Sequence, residues 1–185
     1  MDILGFIRSI QQRDEAKPTT MEVVLAYPGF HVMVLFHPLA HFLWGIKLFA
    51  IARIWASIGR FITGIDIHPG ATIGKNLFID HGTGVVIGQT AIIGDDCRLY
   101  HCVTLGGRGG DRSGRRHPIV GNRVIIGAGA TVLGSITIGN DAKIGANSLV
   151  LKDVPDEYTA MGNPARLLGK IPTDHCHYGI SDYEI

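Results

Sequence analysis

The sequence predicts a mainly β protein, a solenoid of short parallel strands preceded by a short α-helical region. Three observations carry this expectation. An aliphatic residue recurs every six positions: Ile67, Ile73, Ile79 and Val85, then Ile87, Ile93, Leu99 and Leu105, then Val120, Ile126, Val132, Ile138, Ile144 and Val150. Glycine follows many of them, as at Gly74, Gly88, Gly94, Gly121, Gly127, Gly139 and Gly145, and makes up 25 of 185 residues, about twice the usual share. Small residues sit two positions before several of them, as at Ala71, Ala91, Ala130, Ala142 and Ser148. A helix needs recurrence near 3.6 and an ordinary strand near 2, so a period of six with a glycine in each unit means short flat faces joined by tight corners. Each aliphatic side chain then points inward onto its equivalent in the next coil, and burying each contributes roughly 1.5–3 kcal/mol.

Residues 1–63 read as helices. MDILGFIRSIQQRDEA is followed by a loop through Pro18 and then by the apolar run from Gly29, GFHVMVLFHPLAHFLWGIKLFAIARIW. His31, His37, Pro38, His41, Lys47 and Arg53 interrupt that run, which argues for buried helices and against a membrane span. Residues 64–154 carry the repeat. It has two irregularities: the phase slips by two between Val85 and Ile87, and residues 106–118, GGRGGDRSGRRHP, are too polar and glycine-rich to pack inside and are expected to loop out. Residues 155–185 read as a turn and short cap, VPDEYTAMGNPARLLGK, followed by a mobile tail.

Composition excludes several classes of function. Seventeen basic against sixteen acidic residues, with no long run of either sign, make nucleic acid an unsuitable partner. Arg8, Arg13, Asp14 and Glu15 break the apolar pattern a signal peptide would need, so the chain is expected to be cytoplasmic and off the membrane. Cys97, Cys102 and Cys176 fit a reducing compartment better than a disulfide framework. What composition leaves unexplained is IDHGTGVVIG from Ile79, where Asp80 and His81 interrupt an otherwise monotonous repeat.

The run DIHPGATIGKNLFIDHGTGVVIGQTAIIGDD, followed by VTLGG, RRHP, IIGAGATVLG, AKIGANSLVLKDVP and GNPARLLGK, resembles the serine O-acetyltransferases of the hexapeptide-repeat acyltransferase superfamily. The likeness covers about residues 64–170, and RDEA and GFH…HFLW extend it upstream to about residue 13. It implies a left-handed parallel β-helix, a homotrimer, and acetyl transfer from acetyl-CoA to the hydroxyl of L-serine, with no metal. Most of the long N-terminal helical region that pairs two trimers in relatives is missing, so a trimer is expected in place of a hexamer.

Acyl transfer to an alcohol needs a base, because a hydroxyl is a poor nucleophile until its proton is taken. His81 is the candidate, an imidazole whose unperturbed pKa lies near 6.5. Asp66 matches the family's carboxylate partner for that ring. Arg116 offers a planar guanidinium suited to the carboxylate of serine, and the resemblance places His117 in the same pocket. Asp14 and Asp80 match positions that contact the substrate ammonium, although RDEA departs from the family's usual RDPA. For acetyl-CoA the resemblance points to Gly107 and Ala128, with Lys143, Arg166 and Lys170 near its phosphates. Gly88, Gln89, Thr90 and Ala91 stand where many relatives carry GETA, which removes a carboxylate near the site. L-cysteine is an implied feedback inhibitor, and the terminal Ile185 an implied ligand for O-acetylserine sulfhydrylase. Three rivals remain open on residues alone: a hexapeptide acetyltransferase for homoserine, a sugar or an antibiotic hydroxyl; a metal enzyme like the γ-class carbonic anhydrases; and a scaffold without chemistry.

Overall fold

The computed structural model describes residues 2–109 and 114–170; the expected tail and its Ile185 lie outside them. Fifteen strands are present among the described residues, most only two residues long. β1 (Asp66–Ile67), β4 (Val86–Ile87), β7 (Thr104–Gly106), β10 (Thr131–Leu133) and β13 (Leu149–Val150) form sheet A. Sheet B holds β2 (Thr72–Ile73), β5 (Ile92–Ile93), β8 (Ile119–Val120) and β11 (Thr137–Ile138). Sheet C holds β3 (Phe78–Ile79), β6 (Arg98–Leu99), β9 (Ile125–Ile126), β12 (Lys143–Ile144), β14 (Tyr158–Gly162) and β15 (Ala165–Lys170). Every pairing is parallel except that of β14 with β15. The chain thus turns through A, B and C in succession and climbs one rung per circuit.

Register follows the six-residue repeat. Ile67, Ile87, Leu105, Val132 and Val150 stack on one face, and Ile79, Leu99, Ile126 and Ile144 on another. All of these are buried, whereas Ile73, on the first coil, is half-buried. The small residues two positions earlier are buried as well, because a corner has no room for more. Between sheets B and C the corners are stitched by side chains: the backbone N–H groups of Lys75, Asp95, Asn122 and Asn140 donate to Asp95, Asn122, Asn140 and Asp156 respectively, at 2.7–2.9 Å.

Two expectations about the repeat change. Val85 is buried but does not continue the Ile79 phase; its carbonyl accepts from Asp66, and it occupies the corner position of Ile65, two residues before Ile87. The extra two residues of the phase slip therefore lie earlier, in the corner of residues 80–84 between β3 and β4. That corner turns through left-handed conformations at His81 (φ 59°), Gly82 (φ 76°) and Gly84 (φ 75°). The segment after Val150 is more than a turn and short cap, since β14 extends sheet C in parallel and β15 folds back antiparallel along it.

The N-terminal helices are α1 (Ile3–Arg13), α2 (Thr20–Ala26), α3 (Pro28–His31), a π-helical turn (Val32–Phe36), α4 (His37–Gly45) and α5 (Phe49–Thr63). Thr19 and Glu22 form a reciprocal capping box at the start of α2, and Gly64 ends α5 in the left-handed conformation. The expectation of buried helices holds for one stripe only. Phe6, Ile10, Phe30, Val32, Ala40 and Ala52 are buried, while Phe42, Ile54, Ile58 and Phe61 face outward, Phe61 at 91% exposure. Nothing among the described residues covers that outer stripe. No single helix among the described residues is long and apolar enough to cross a membrane.

Candidate active site

Most of the residues predicted for catalysis and serine binding fall into two clusters, one at each edge of sheet A. The first lies at the corner between sheets C and A. His81 is exposed (77%) because the two extra residues push this corner out of the prism, and its Nε2 is 3.8 Å from Asp80 Oδ1. Its ring stands edge-on to His101 one coil further on, with 5.9 Å between centroids. Asp80 is mostly buried and accepts a hydrogen bond of 2.8 Å from Arg98 Nη2 on the neighbouring strand.

Arg98 reaches further than Asp80. Its guanidinium lies over the rings of Phe78 and Tyr100, at 5.1 and 4.6 Å, and its Nη1 donates to the carbonyl of Arg13 at 3.1 Å. Arg13 in turn donates to the carbonyls of Asn76, Asp96 and Cys97, which fastens the end of α1 to the corner between sheets B and C. Asp14 is thereby held near Asp80. One of its oxygens accepts from the Tyr27 hydroxyl at 2.6 Å and the other from the Ala16 N–H at 2.9 Å. Burial, then the hydrogen bond to Asp14, pushes the Tyr27 hydroxyl well above its usual pKa, so Tyr27 stays a neutral donor. A positively charged amine would find two carboxylates here. Asp14 is the C-cap residue of α1, its backbone N–H donating to the Ile10 carbonyl.

Asp66 does not join His81 within the chain. It lies on β1 with its carboxylate 3.4 Å from Arg60 Nη1, and no hydrogen bond links it to the imidazole among the described residues.

The second cluster lies at the corner between sheets A and B, where the protruding loop returns. His117 is 6% exposed and packs against Gly88; a Cβ on Gly88 would collide with the ring. Its Nδ1 receives the Thr90 N–H at 3.2 Å and faces the Thr90 hydroxyl at 2.8 Å. Burial, then the neighbouring Arg116 guanidinium, lowers the His117 pKa and favours the neutral ring. Arg116 is exposed and anchored through its backbone N–H to Thr90 Oγ1.

Of the residues expected to hold acetyl-CoA, Gly107 and Ala128 divide between the same edges. Gly107 lies against Arg116 and His117, while Ala128 lies on the edge of His81 and His101, its carbonyl accepting from Asn147 one coil on. Lys143 and Arg166 are on sheet C, half-buried and exposed. Lys170 ends β15. Burial raises the Cys97 thiol to about 11, which leaves it inert as a nucleophile. Among the described residues no group of three His, Cys, Asp or Glu side chains is placed to hold a metal ion.

Thr90, Arg98 and Tyr27 are contributors that sequence reasoning did not single out. Thr90 stands inside the GQTA segment noted for its missing carboxylate; Arg98 and Tyr27 carry no sequence signal apart from the fold that brings them there.

Comparison with known proteins adds the family. The profile of the bacterial transferase hexapeptide family (six repeats) matches residues 117–152. The chain is 54% identical over 166 residues to a serine acetyltransferase of Mycobacterium tuberculosis, covering 90% of this chain and 72% of that protein. It is 51% identical over 170 residues to one of Helicobacter pylori, covering 92% and 98%. Among solved structures, soybean serine acetyltransferase complexed with serine superposes with a TM-score of 0.85 at 46% identity, over 90% of this chain and 68% of that one. The enzyme of Brucella abortus in complex with coenzyme A gives 0.87 at 42%, over 92% and 67%. A serine acetyltransferase in complex with cysteine gives 0.86 at 40%, over 90% and 68%.

Proposed function

Because the chain belongs to the serine acetyltransferase family, with its left-handed parallel β-helix, we infer that the two clusters are half-sites of one acetyl-transfer centre. The chain is an acetyl-CoA-dependent serine acetyltransferase, which converts L-serine to O-acetyl-L-serine in cysteine biosynthesis. Asp14 and Asp80 receive the ammonium of L-serine, and Arg116 with His117 receives its carboxylate. His81 takes the hydroxyl proton as the serine oxygen attacks the thioester carbon of acetyl-CoA. A tetrahedral oxyanion forms; on collapse the C–S bond breaks and the imidazolium returns the proton to the departing thiolate.

The observation that carries this reading is the separation of the half-sites on opposite edges of sheet A. One chain cannot close them around a single amino acid, whereas a head-to-tail ring of copies brings the His81 edge of one against the Arg116 edge of the next. A homotrimer is the assembly proposed. In it Gly107 of one protomer and Ala128 of its neighbour line the coenzyme groove, with Lys143, Arg166 and Lys170 beside the phosphates. Asp66 supports the His81 edge, and its pairing with Arg60 is exchanged for the imidazole once the groove is filled. The enzyme works in the cytoplasm, where the thiols of Cys97 and Cys102 stay reduced.

Steady-state kinetics test the acceptor. Acetyl-CoA is expected to be consumed with L-serine and not with simple sugars, and more slowly with L-homoserine, whose extra methylene misplaces the hydroxyl. L-cysteine, which presents the same ammonium and carboxylate, is expected to compete with L-serine. Equal turnover with a sugar would refute the assignment. Ile185 is proposed to enter the active site of O-acetylserine sulfhydrylase, its terminal carboxylate imitating the amino acid. A chain lacking Ile185 is expected to lose that binding in a titration; unchanged affinity would refute it.

A further inference from the structure

We propose that Thr90 is a positioning residue that fixes His117 as the tautomer with its proton on Nε2, making His117 a hydrogen-bond donor to the substrate carboxylate and leaving His81 as the base. The proposal rests on the acetyl-transfer reading above and assigns the two imidazoles different work.

The argument is a count of donors and lone pairs. Thr90 Oγ1 accepts backbone N–H groups from Arg116 at 3.1 Å and from His117 at 3.3 Å. With its lone pairs so engaged, the hydroxyl proton has one direction left, toward His117 Nδ1 at 2.8 Å. The Thr90 N–H, 3.2 Å away, donates to the same nitrogen. A ring nitrogen that receives two donors is an acceptor, so Nδ1 carries no proton and the neutral ring carries it on Nε2.

The surroundings keep the ring from escaping this state. Gly88 lies against one side of the ring and Gly107 near Nε2, and turning the imidazole over would put a ring carbon where the two Thr90 donors now point. Arg115 holds the His117 carbonyl from outside, its Nη1 donating at 3.2 Å. Protonating Nδ1 would set an N–H against two other donors in a buried place. His81 has none of these restraints: it is exposed and lies on the opposite edge of the sheet. One side chain, Thr90, thus sets His117 to donate from Nε2 and keeps it from serving as a second base through Nδ1.

Nitrogen NMR of histidine-labelled enzyme reads the tautomer directly, with the His117 signals identified by their loss in His117→Asn. In the wild type at pH 8 a pyridine-type Nδ1 and a pyrrole-type Nε2 are expected. In Thr90→Val the two nitrogens should shift toward the values of an unlocked tautomeric mixture, and the KM for L-serine should rise about tenfold with a smaller change in kcat. Thr90→Ser, which keeps the hydroxyl, should restore both. A pyrrole-type Nδ1 or an imidazolium in the wild type would overturn the proposal. So would a Thr90→Val enzyme that loses activity while its tautomer stays unchanged, because Thr90 would then only hold the loop. A wild-type enzyme with the expected tautomer that acetylates no serine would refute the proposed reaction and leave the lock standing.

Discussion

His81→Ala is expected to lower kcat/KM for L-serine by about 10³-fold while leaving the fold intact. The size follows from the role: positioned proton transfer contributes roughly 10²–10⁴-fold, and no second imidazole on that edge can substitute without moving. His101 is the nearest, but its ring is 5.9 Å from that of His81 and one coil away. The expectation of an intact fold follows from exposure. The side chain lies outside the core, and it meets the carboxylate of Asp80 and the edge of His101. Alanine at φ 59° keeps a strain histidine already carries, so the thermal midpoint should change little. Near-normal turnover by a well-folded His81→Ala enzyme would remove the base from the mechanism and favour a scaffold.

Mixing two inactive variants should restore activity. His81→Ala disables one half-site and Arg116→Ala the other, and each alone forms only defective grooves. In a closed ring of randomly mixed copies, a groove is intact when its His81 edge comes from an Arg116→Ala chain and its Arg116 edge from a His81→Ala chain. At equal proportions each condition is met half the time, so about one quarter of wild-type activity should return after the two are unfolded and refolded together. Mixing folded variants without exchange should return nothing. If both half-sites served one substrate within a single chain, the refolded mixture would stay as dead as its parts, and the shared-site proposal would fall.

Much of the architecture was legible because the solenoid repeats its instructions. Thirteen of the fourteen aliphatic positions lie buried, and the exception, Ile73, sits on the first coil, where stacking is one-sided. The phase slip was visible too, but was set after Val85 because a valine fits either inward position, six after Ile79 or two before Ile87. Only the pairing of Gly84 with Gly64 and of Val85 with Asp66 shows that the extra residues belong to the corner bearing His81. The C-terminal hairpin was missed because YTAMG and ARLLGK are short and lack clean alternation. At the site, the residues sought for chemistry were found in two places, and the residues that orient them were not foreseen. Thr90 and Arg98 act through partners 27 and 18 positions away, separations that a repeat with an inserted loop does not advertise. The apolar helices were expected to be covered, but hydropathy does not distinguish a helix buried all round from one that leaves an apolar stripe exposed.

The antiparallel turn of β15 along β14 has a consequence for how the molecule behaves in a crowd. A stack of parallel rungs ends in an open ladder, and an open ladder recruits the next strand it meets regardless of whose it is. On sheet C the edge strand runs against the coil, so a further coil in the same sense would have to pair antiparallel there and lose the register of the repeat. On that face the ladder closes against continuation, whereas sheets A and B end in strands that still run with the coil.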